Sequence, residues 1–233
     1  MIRAVAIALL AGAAVLAAPV PKEDDAGRLR RIYGRAEDPD KDCAFQMAGD
    51  KLHIRLPIEP HNSFNWKPGW GNSPRATHEI EGDFTATVRV EFPLRSAEER
   101  DAKTGGTRFA SGGLIAGEPD EAVSLLRVEE LANGAVIERF HRMRRWIAQN
   151  GANGEGGSRA LAGNPPAAAF LRLARAGPKV KTAISRDGKD WTEFAAVEVG
   201  WKDKVRVGVI AENTFRDPFE VTFDEYTLTQ PKK

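Results

Sequence analysis

Short stretches in which apolar and polar residues alternate run along most of this chain. The clearest stretch is Phe84 to Phe92, where every second residue is apolar and the residues between are polar or charged. A period of two is typical of a strand with one buried face. Leu52, Ile54 and Leu56 repeat the pattern over a shorter length. Alternation therefore predicts strands for the body of the chain.

Turn residues separate these runs at fairly even intervals. Asn133-Gly134 is a strong hairpin signal between two runs, and Asp187-Gly188 connects two later ones. Further strands are predicted at residues 112–116, 123–131, 135–146, 170–174, 180–185, 191–199, 205–211 and 219–228. Turns this short exclude parallel crossovers, so the pattern predicts an all-β fold, an antiparallel sandwich or barrel. The Gly/Asn-rich segment 149–166 is predicted to be a loop.

The register of the hairpin at Asn133-Gly134 has two solutions. A two-residue turn places Glu129 opposite Glu138, whereas one more loop residue places Arg127 opposite Arg139. In either register Glu129 shares a strand face with Arg127, which indicates an ion pair or a contact with a polar ligand.

The N-terminal residues have the features of an export signal. Arg3 precedes 15 uncharged residues (4–18), and Pro19 follows. This run is too short to cross a membrane comfortably, so we predict a signal peptide over residues 1–18 and a periplasmic, cell-surface or extracellular location. An uncleaved anchor is the alternative. We expect a linker over residues 19–42, with a turn of helix near residue 31, and one sandwich domain over 43–230.

Charge and cysteine content exclude several classes of protein. Lys plus Arg is 34 and Asp plus Glu is 33, a net charge of +1 that falls to zero if Arg3 is removed. This balance argues against a nucleic-acid partner. The single cysteine, Cys43, excludes a disulfide framework and a cysteine-based zinc site. The four histidines form no metal motif, so no metal site or cofactor is predicted.

The segment 61–75 is the richest candidate for ligand binding. Trp66 and Trp70 could stack on the apolar faces of sugars, and Asn62 and Arg75 could supply hydrogen bonds around the ring. The alternative interpretation is that the two tryptophans close the edge of the sandwich.

A second group of candidates lies on the two strands of the predicted hairpin. Residues 137–146 carry four arginines and one histidine, which include Arg139 and His141. Together with Arg127 and Glu129 these side chains could contact an acidic or polar ligand. A solvated strand face and a structural ion pair are the alternatives.

Paired carboxylates would indicate glycosidase chemistry. Glu79, Glu81 and Asp83 share one face of an extended segment. They precede the Phe84 strand and do not form the glucanase pattern E-x-D-x-x-E. We therefore predict a solvated strand edge there and no catalytic residue.

Several segments together resemble the concanavalin A-like lectin/glucanase superfamily, and more narrowly its domain-of-unknown-function family 1349. The segments, between residues 45 and 230, are 82–90, 112–116, 126–129, 171–173, 185–191, 207–211 and 223–226. The resemblance implies a jelly roll of two curved antiparallel sheets, with a concave face that often holds glycans in characterised relatives. It also implies a structural calcium, for which Asp83 and Asp224 are weak candidates.

Three functions follow from these observations. The first is an exported, non-catalytic module that binds a glycan, a polysaccharide or another polar ligand. The second is a glycoside-active enzyme with an atypical carboxylate site. The third is a structural or protein-interaction module of the cell envelope.

Overall fold

The fold is described here from a computed structural model of the chain. The structure describes residues 24–58, 60–62, 70–95, 108–132, 135–148, 151–161 and 167–231. The predicted signal peptide and Trp66 lie outside these ranges and stay predictions. Within the described ranges, no helix is both long enough and apolar enough to cross a membrane.

Strands make up most of the described chain, and one helix, α1 (Asp25–Ile32), precedes them. The strands are β1 (Arg35–Glu37), β2 (Ala44–Ala48), β3 (Lys51–Leu56), β4 (Arg75–Glu81), β5 (Phe84–Glu91), β6 (Arg108–Glu118), β7 (Glu121–Ala132), β8 (Ala135–Ala148), β9 (Gly151–Arg159), β10 (Ala168–Ala176), β11 (Lys179–Ser185), β12 (Thr192–Glu193), β13 (Val197–Glu198), β14 (Lys204–Asn213) and β15 (Phe219–Thr229).

These strands form two antiparallel sheets. Among the described residues, one sheet has seven strands in the order β1-β4-β14-β6-β7-β8-β9. The other has eight, in the order β12-β11-β10-β5-β15-β3-β2, with β13 paired to β11. The predicted all-β antiparallel sandwich is confirmed.

The main core lies between the two sheets. Along β5 every second residue is buried, as the alternation predicts. Val90 of β5 and Val221 of β15 pack against Gly112 of the opposite sheet. A Cβ on Gly112 would lie 2.6 Å from Cγ2 of Val221, so the missing side chain lets the sheets approach closely.

The β7–β8 hairpin adopts the register of a two-residue connection. Ala132 lies opposite Ala135, and Glu129 lies opposite Glu138. Arg127 lies opposite Phe140, so the alternative register is excluded. This register decides which side chains of the hairpin share a face.

Two regions have more regular structure than the sequence predicts. β9 occupies half of the segment predicted to be a loop, and it pairs with β8 along its length. Backbone hydrogen bonds need no side chains, and Gly156 leaves room for Met143, whose Sδ would lie 2.3 Å from a Cβ at that position.

The described part of the predicted linker is also structured. α1 begins after Asp24, whose Oδ1 accepts a hydrogen bond from the Gly27 backbone N–H at 2.7 Å. Tyr33 is fully buried, and its hydroxyl donates to the Phe223 carbonyl at 2.7 Å. The helix predicted near residue 31 is therefore present, and it is anchored to the eight-stranded sheet. The domain boundaries themselves stay a prediction.

Candidate functional site

The outer face of the seven-stranded sheet is apolar at its centre, which is unusual for a face that points away from the main core. A second cluster of buried side chains covers it, formed by Trp70, Ile115, Ala122, Leu126, Val128 and Ile210. Accordingly, eight consecutive residues at the centre of β6 are buried, whichever face they point to. A strand that is apolar on both faces needs cover on both sides.

Trp70 supplies part of that cover. Its side chain is fully buried, and its Nε1 donates to the Glu118 carbonyl at 2.9 Å. The Arg206 guanidinium lies 4.3 Å from the ring centroid and that of Arg75 lies 5.8 Å away. Trp70 also has a positive φ of 74°, a conformation that few non-glycine residues adopt. Its ring therefore packs within the protein and is not offered to a sugar.

Beside this cluster lies a pocket of about 300 Å³. It is lined by Phe109, Leu126, Val128, Glu130, His141, Met143 and Glu212. Four of these side chains are apolar and three are polar. Pockets with apolar walls and a few convergent polar groups are the usual binding sites for small ligands.

The strand register explains why these residues meet. Leu126, Val128 and Glu130 alternate along β7 and point outward, since their neighbours Leu125 and Leu131 belong to the main core. His141 lies opposite Leu126 on the adjacent β8. Glu212 of β14 lies opposite Ser111 of β6. Three central strands and β8 thus contribute to one pocket.

Glu212, one of the polar residues of the pocket, is held in place by neighbouring side chains. Glu212 is fully buried, and the Ser111 hydroxyl donates to its Oε2 at 3.0 Å. Burial lowers the pKa of the nearby Arg145, and the Glu212 carboxylate opposes that shift. The Glu212 carboxylate is therefore tied into the sheet by Ser111 and lies close enough to a buried cation to interact with it.

Burial also lowers the pKa of His141, although the carboxylates of Glu130 and Glu212 act in the opposite direction. A neutral imidazole has one donor and one acceptor nitrogen. Nε2 of His141 is buried without a hydrogen-bond partner in the described part of the chain. Glu130 Oε2 lies 3.8 Å from it, which is beyond hydrogen-bond range. His141 thus has unused hydrogen-bonding capacity in the pocket.

Of the residues predicted from sequence, His141 lines the pocket and Arg139 lies beside it. Arg139 is on the same face of β8, with its Nε 3.4 Å from Glu130 Oε2, and its side chain is 44% exposed. The structure therefore brings two of the eight candidates to one place on the outer face.

Arg127 and Glu129 point the other way, into the space between the sheets. Arg127 is fully buried, with its Nε donating to Glu138 Oε1 at 2.8 Å and its Nη1 to the Ala167 carbonyl at 2.6 Å. Burial lowers the pKa of this guanidinium, and Glu138 opposes the shift. Glu129 is equally buried and accepts a hydrogen bond from the Arg95 backbone N–H at 3.1 Å. A ligand on the outer face does not reach either residue.

The remaining described candidates have protein partners at the edge of the sheet. Asn62 is buried, and its backbone N–H donates to Asn72 Oδ1 at 3.0 Å. Arg75 forms an ion pair with Glu37, at 2.8 Å between Nη2 and Oε2. The Arg75 ion pair joins β4 to β1, and neither Asn62 nor Arg75 lines the pocket.

The acidic residues considered for catalysis or calcium are spread over separate places. Glu79 is 65% exposed and pairs with Lys204 at 2.8 Å. Asp83 accepts a hydrogen bond from the Gly177 backbone N–H at 2.8 Å, whereas Asp224 pairs with Lys51 at 3.0 Å. Glu79 and Glu81 both interact with Lys204, whereas Asp83 and Asp224 have other partners.

Sequence reasoning missed four groups of the pocket: Phe109, Met143, Glu130 and Glu212. For Glu130 a signal exists, because it continues the alternation of Leu126 and Val128 on the face opposite Arg127. Glu212 is more than 80 positions from Glu130 in sequence, so only the sheet order β14-β6-β7 brings them together.

A separate cluster of metal-ligating side chains lies at the edge of the sandwich. The ligand atoms of Asp42, Cys43 and His61 lie within 4.8 Å of one another. Burial and the carboxylates of Asp38 and Asp42 raise the pKa of the Cys43 thiol. Cys43 and His61 are 18 positions apart in the sequence, so no short motif indicates this cluster.

No protein-family model matches the sequence, and comparison with curated proteins finds no match. Solved structures do match. A functionally unknown protein from Saccharomyces cerevisiae has a TM-score of 0.60 at 16% identity, and the match covers 85% of this chain and 97% of that one. The GH16 protein of the Bacteroides ovatus mixed linkage glucan PUL, in complex with a G4G4G3G product, has a TM-score of 0.53 at 9% identity, covering 86% and 95%.

The catalytic domain of an endo-1,3-beta-glucanase (laminarinase) from Thermotoga petrophila RKU-1 has a TM-score of 0.50 at 9% identity, covering 83% of this chain and 82% of that one. Identities this low show the fold alone. The chain therefore has the two-sheet antiparallel β-sandwich fold that these structures share, which is the fold that the resemblance in sequence implies.

Proposed function

We propose that this protein binds carbohydrate in the pocket on the outer face of its seven-stranded sheet. The observation that carries the proposal is the composition of that pocket, in which an apolar wall adjoins Glu130, His141 and Glu212. The fold supports it, because two similar structures are named as glucan-active proteins, and one of them holds a glucan product.

A sugar ring suits these walls. One face of a pyranose is largely C–H, which packs against apolar and aromatic side chains such as Phe109 and Met143. Its hydroxyls donate to carboxylates and can donate to, or accept from, a neutral imidazole. A volume of about 300 Å³ is at the lower end for ligand pockets, so it fits a terminal sugar unit better than a long stretch of polysaccharide.

The proposal has two further parts, which concern the location of the protein and its branch of the superfamily. If residues 1–18 direct export, the ligand is a glycan outside the cytoplasm. Family 1349 of the same superfamily is the branch that the sequence motifs favour. Both statements are part of the proposal, and the non-catalytic role is its simplest form.

Two carboxylates in one pocket make glycoside hydrolysis a second candidate. Glu130 pairs with Phe109 of β6 and Glu212 pairs with Ser111, two residues further along. Their backbones are therefore about 9.5 Å apart across the sheet and about 6.7 Å apart along it, or roughly 11.6 Å in all. Side chains from such positions can place carboxyls within the roughly 6.5–9.5 Å used by inverting glycosidases. The pocket thus holds the groups that either function requires.

The test is calorimetric titration of the protein with a panel of plant, algal and bacterial oligosaccharides. Met143→Trp fills the pocket, and Glu212→Gln removes a charged acceptor. Losing one charged hydrogen bond is worth about 1.5–3 kcal/mol, so we expect at least tenfold weaker binding. Glu79→Gln is the matched control, because this exposed carboxylate lies outside the pocket, and it should bind normally.

No binding to any glycan, or binding that Met143→Trp leaves unchanged, would contradict the proposal. Reducing-end release from the bound sugar distinguishes the two candidates. Release that Glu130→Gln abolishes while binding persists would establish an enzyme. Binding without release favours the non-catalytic module.

A further inference from the structure

The segment between β1 and β2 concentrates metal-ligating side chains around one buried histidine. His61 has a fully buried side chain, and its Nε2 lies 2.9 Å from Asp42 Oδ1. Cys43 Sγ lies 3.5 Å from the same carboxylate oxygen. Asp40 Oδ2 lies 3.7 Å from His61 Nε2. Nitrogen, sulfur and oxygen donors thus converge on one small volume.

A third carboxylate of this segment is also close. Asp38 Oδ2 accepts a hydrogen bond from the Cys43 backbone N–H at 2.8 Å. Its other oxygen, Oδ1, is buried and has no hydrogen-bond partner in the ranges that the structure describes. Asp38 therefore adds negative charge beside the Cys43 thiol.

The donor set and its spacing select the type of cation. With Zn–S near 2.3 Å and Zn–N and Zn–O near 2.0–2.2 Å, tetrahedral ligand atoms lie about 3.3–3.7 Å apart. Cys43 Sγ and Asp42 Oδ1 lie 3.5 Å apart, within this range, whereas the 2.9 Å between His61 Nε2 and Asp42 Oδ1 is a hydrogen bond that a bound metal would replace. Calcium and magnesium prefer oxygen ligands only, so a thiol and an imidazole favour a borderline transition metal.

We infer that Asp42, Cys43 and His61 form a site for Zn²⁺ or a similar divalent transition metal, with the fourth position left to water and the Asp40 carboxylate adding negative charge beside His61. Binding would release the thiol proton to solvent and form a metal–thiolate bond. Asp38 stands behind Cys43, where its carboxylate holds the Cys43 backbone.

The site would fasten three parts of the sandwich. β1 belongs to the seven-stranded sheet and β2 to the eight-stranded sheet, so residues 38–43 form the connection between them. The His61 backbone pairs with Asn213 at the end of β14, with N–O distances of 2.8 Å in both directions. Asn72 Nδ2 donates to Asp40 Oδ2 at 2.7 Å. A metal here would therefore stabilise the fold at the edge nearest Glu212.

The experiment uses the full chain after chelator treatment. Zn²⁺ titration against a chromophoric chelator measures affinity, and Co²⁺ reports the ligands. We expect a thiolate-to-cobalt charge-transfer band, tetrahedral visible bands and a higher melting temperature with either metal. Cys43→Ser should abolish the charge-transfer band and weaken Zn²⁺ binding by at least about 10–100-fold, since even outer-shell changes have effects of that size.

Asp42→Asn should weaken Zn²⁺ binding in the same way, whereas Asp120→Asn at an exposed turn is the matched control and should bind normally. Cys43→Ser conserves shape at a half-buried position, so it decides the question even if a His61 variant does not fold. Three results would each overturn the inference: no cobalt–thiolate band, Zn²⁺ affinity equal in wild type and Cys43→Ser, or stabilisation by Ca²⁺ as large as by Zn²⁺.

Discussion

Arg127 on β7 and His141 on β8 lie on adjacent strands of one sheet, but their side chains point to opposite faces. Arg127 donates to Glu138 and to backbone carbonyls, including that of Ala167, and it lies 4.4 Å from the Phe92 ring. His141 faces the outer pocket, where its Nε2 has no hydrogen-bond partner among the described residues. Arg127 on the inner face thus forms its hydrogen bonds with protein groups, whereas His141 on the outer face has unused hydrogen-bonding capacity.

This difference separates a structural polar residue from a binding one. Arg127 donates to a carboxylate of its own sheet and to backbone carbonyls of the opposite sheet. A buried guanidinium used in this way joins the two sheets and does not face a ligand. A buried imidazole nitrogen without a partner is a cost to stability that a ligand can remove. Polar composition alone does not distinguish the two, because both strands carry similar residues.

The largest expected effect is on the inner face. Arg127→Met leaves Glu138 buried beside a neutral side chain, and breaking a buried pair in this way destabilises a fold by about 3–5 kcal/mol. Urea unfolding at neutral pH measures the loss. Adding Glu138→Gln should recover part of it, because the uncompensated charge is then gone.

A loss of less than about 1 kcal/mol for Arg127→Met would contradict this assignment, because that is the range of exposed pairs. Arg186 lies 3.9 Å from Glu138 and would then have taken over as its partner. The single variant should leave the outer pocket intact, so glycan binding measured on the folded fraction should not change.

A smaller effect is expected from pH at His141. Its pKa in the folded protein is lowered by burial, with Glu130, Arg139 and Glu212 as the charged groups around it. The unfolded chain therefore binds the proton more readily, so stability falls as pH drops below the usual histidine range of about 6.5 and is retained above it. His141→Gln should flatten this dependence in unfolding experiments between neutral and mildly acidic pH.

Ligand affinity provides a second readout of the same group. If neutral His141 accepts a hydrogen bond from the ligand, affinity should decline over the same acidic interval in the wild type and stay level in His141→Gln. A pH dependence of stability that persists unchanged in His141→Gln would assign it to another residue.

The strands were predictable from sequence wherever one face is buried and the other exposed. Alternation between Phe84 and Val90 identifies β5, because tertiary contacts agree with the local pattern. β9 has almost no apolar side chains, and its pairing with β8 depends on backbone hydrogen bonds that composition does not reveal. The single predicted strand at 191–199 is two short strands, β12 and β13, each paired separately with β11.

The pocket was less predictable than the fold. His141 and Arg139 were identified as a basic concentration, but the same reasoning selected Arg127, which belongs to the interior. Whether a charged strand residue lies in the interior or lines a pocket depends on what covers each face of the sheet. Here a residue distant in sequence, Trp70, covers part of the outer face. Cys43 and His61 are likewise far apart in sequence, and the fold brings them together beside Asp42.

The smallest expected effect sharpens the comparison most directly, because it uses a second arginine of the same hairpin. Arg139 is on β8 near Arg127 but on the outer face, 44% exposed, with Glu130 at 3.4 Å. Arg139→Met should therefore change the free energy of unfolding by no more than about 0.5 kcal/mol, as for other exposed ion pairs. Urea unfolding beside Arg127→Met measures the contrast. If the two arginine variants were equally destabilised, burial and the direction of the side chain would not explain how this hairpin uses its charges.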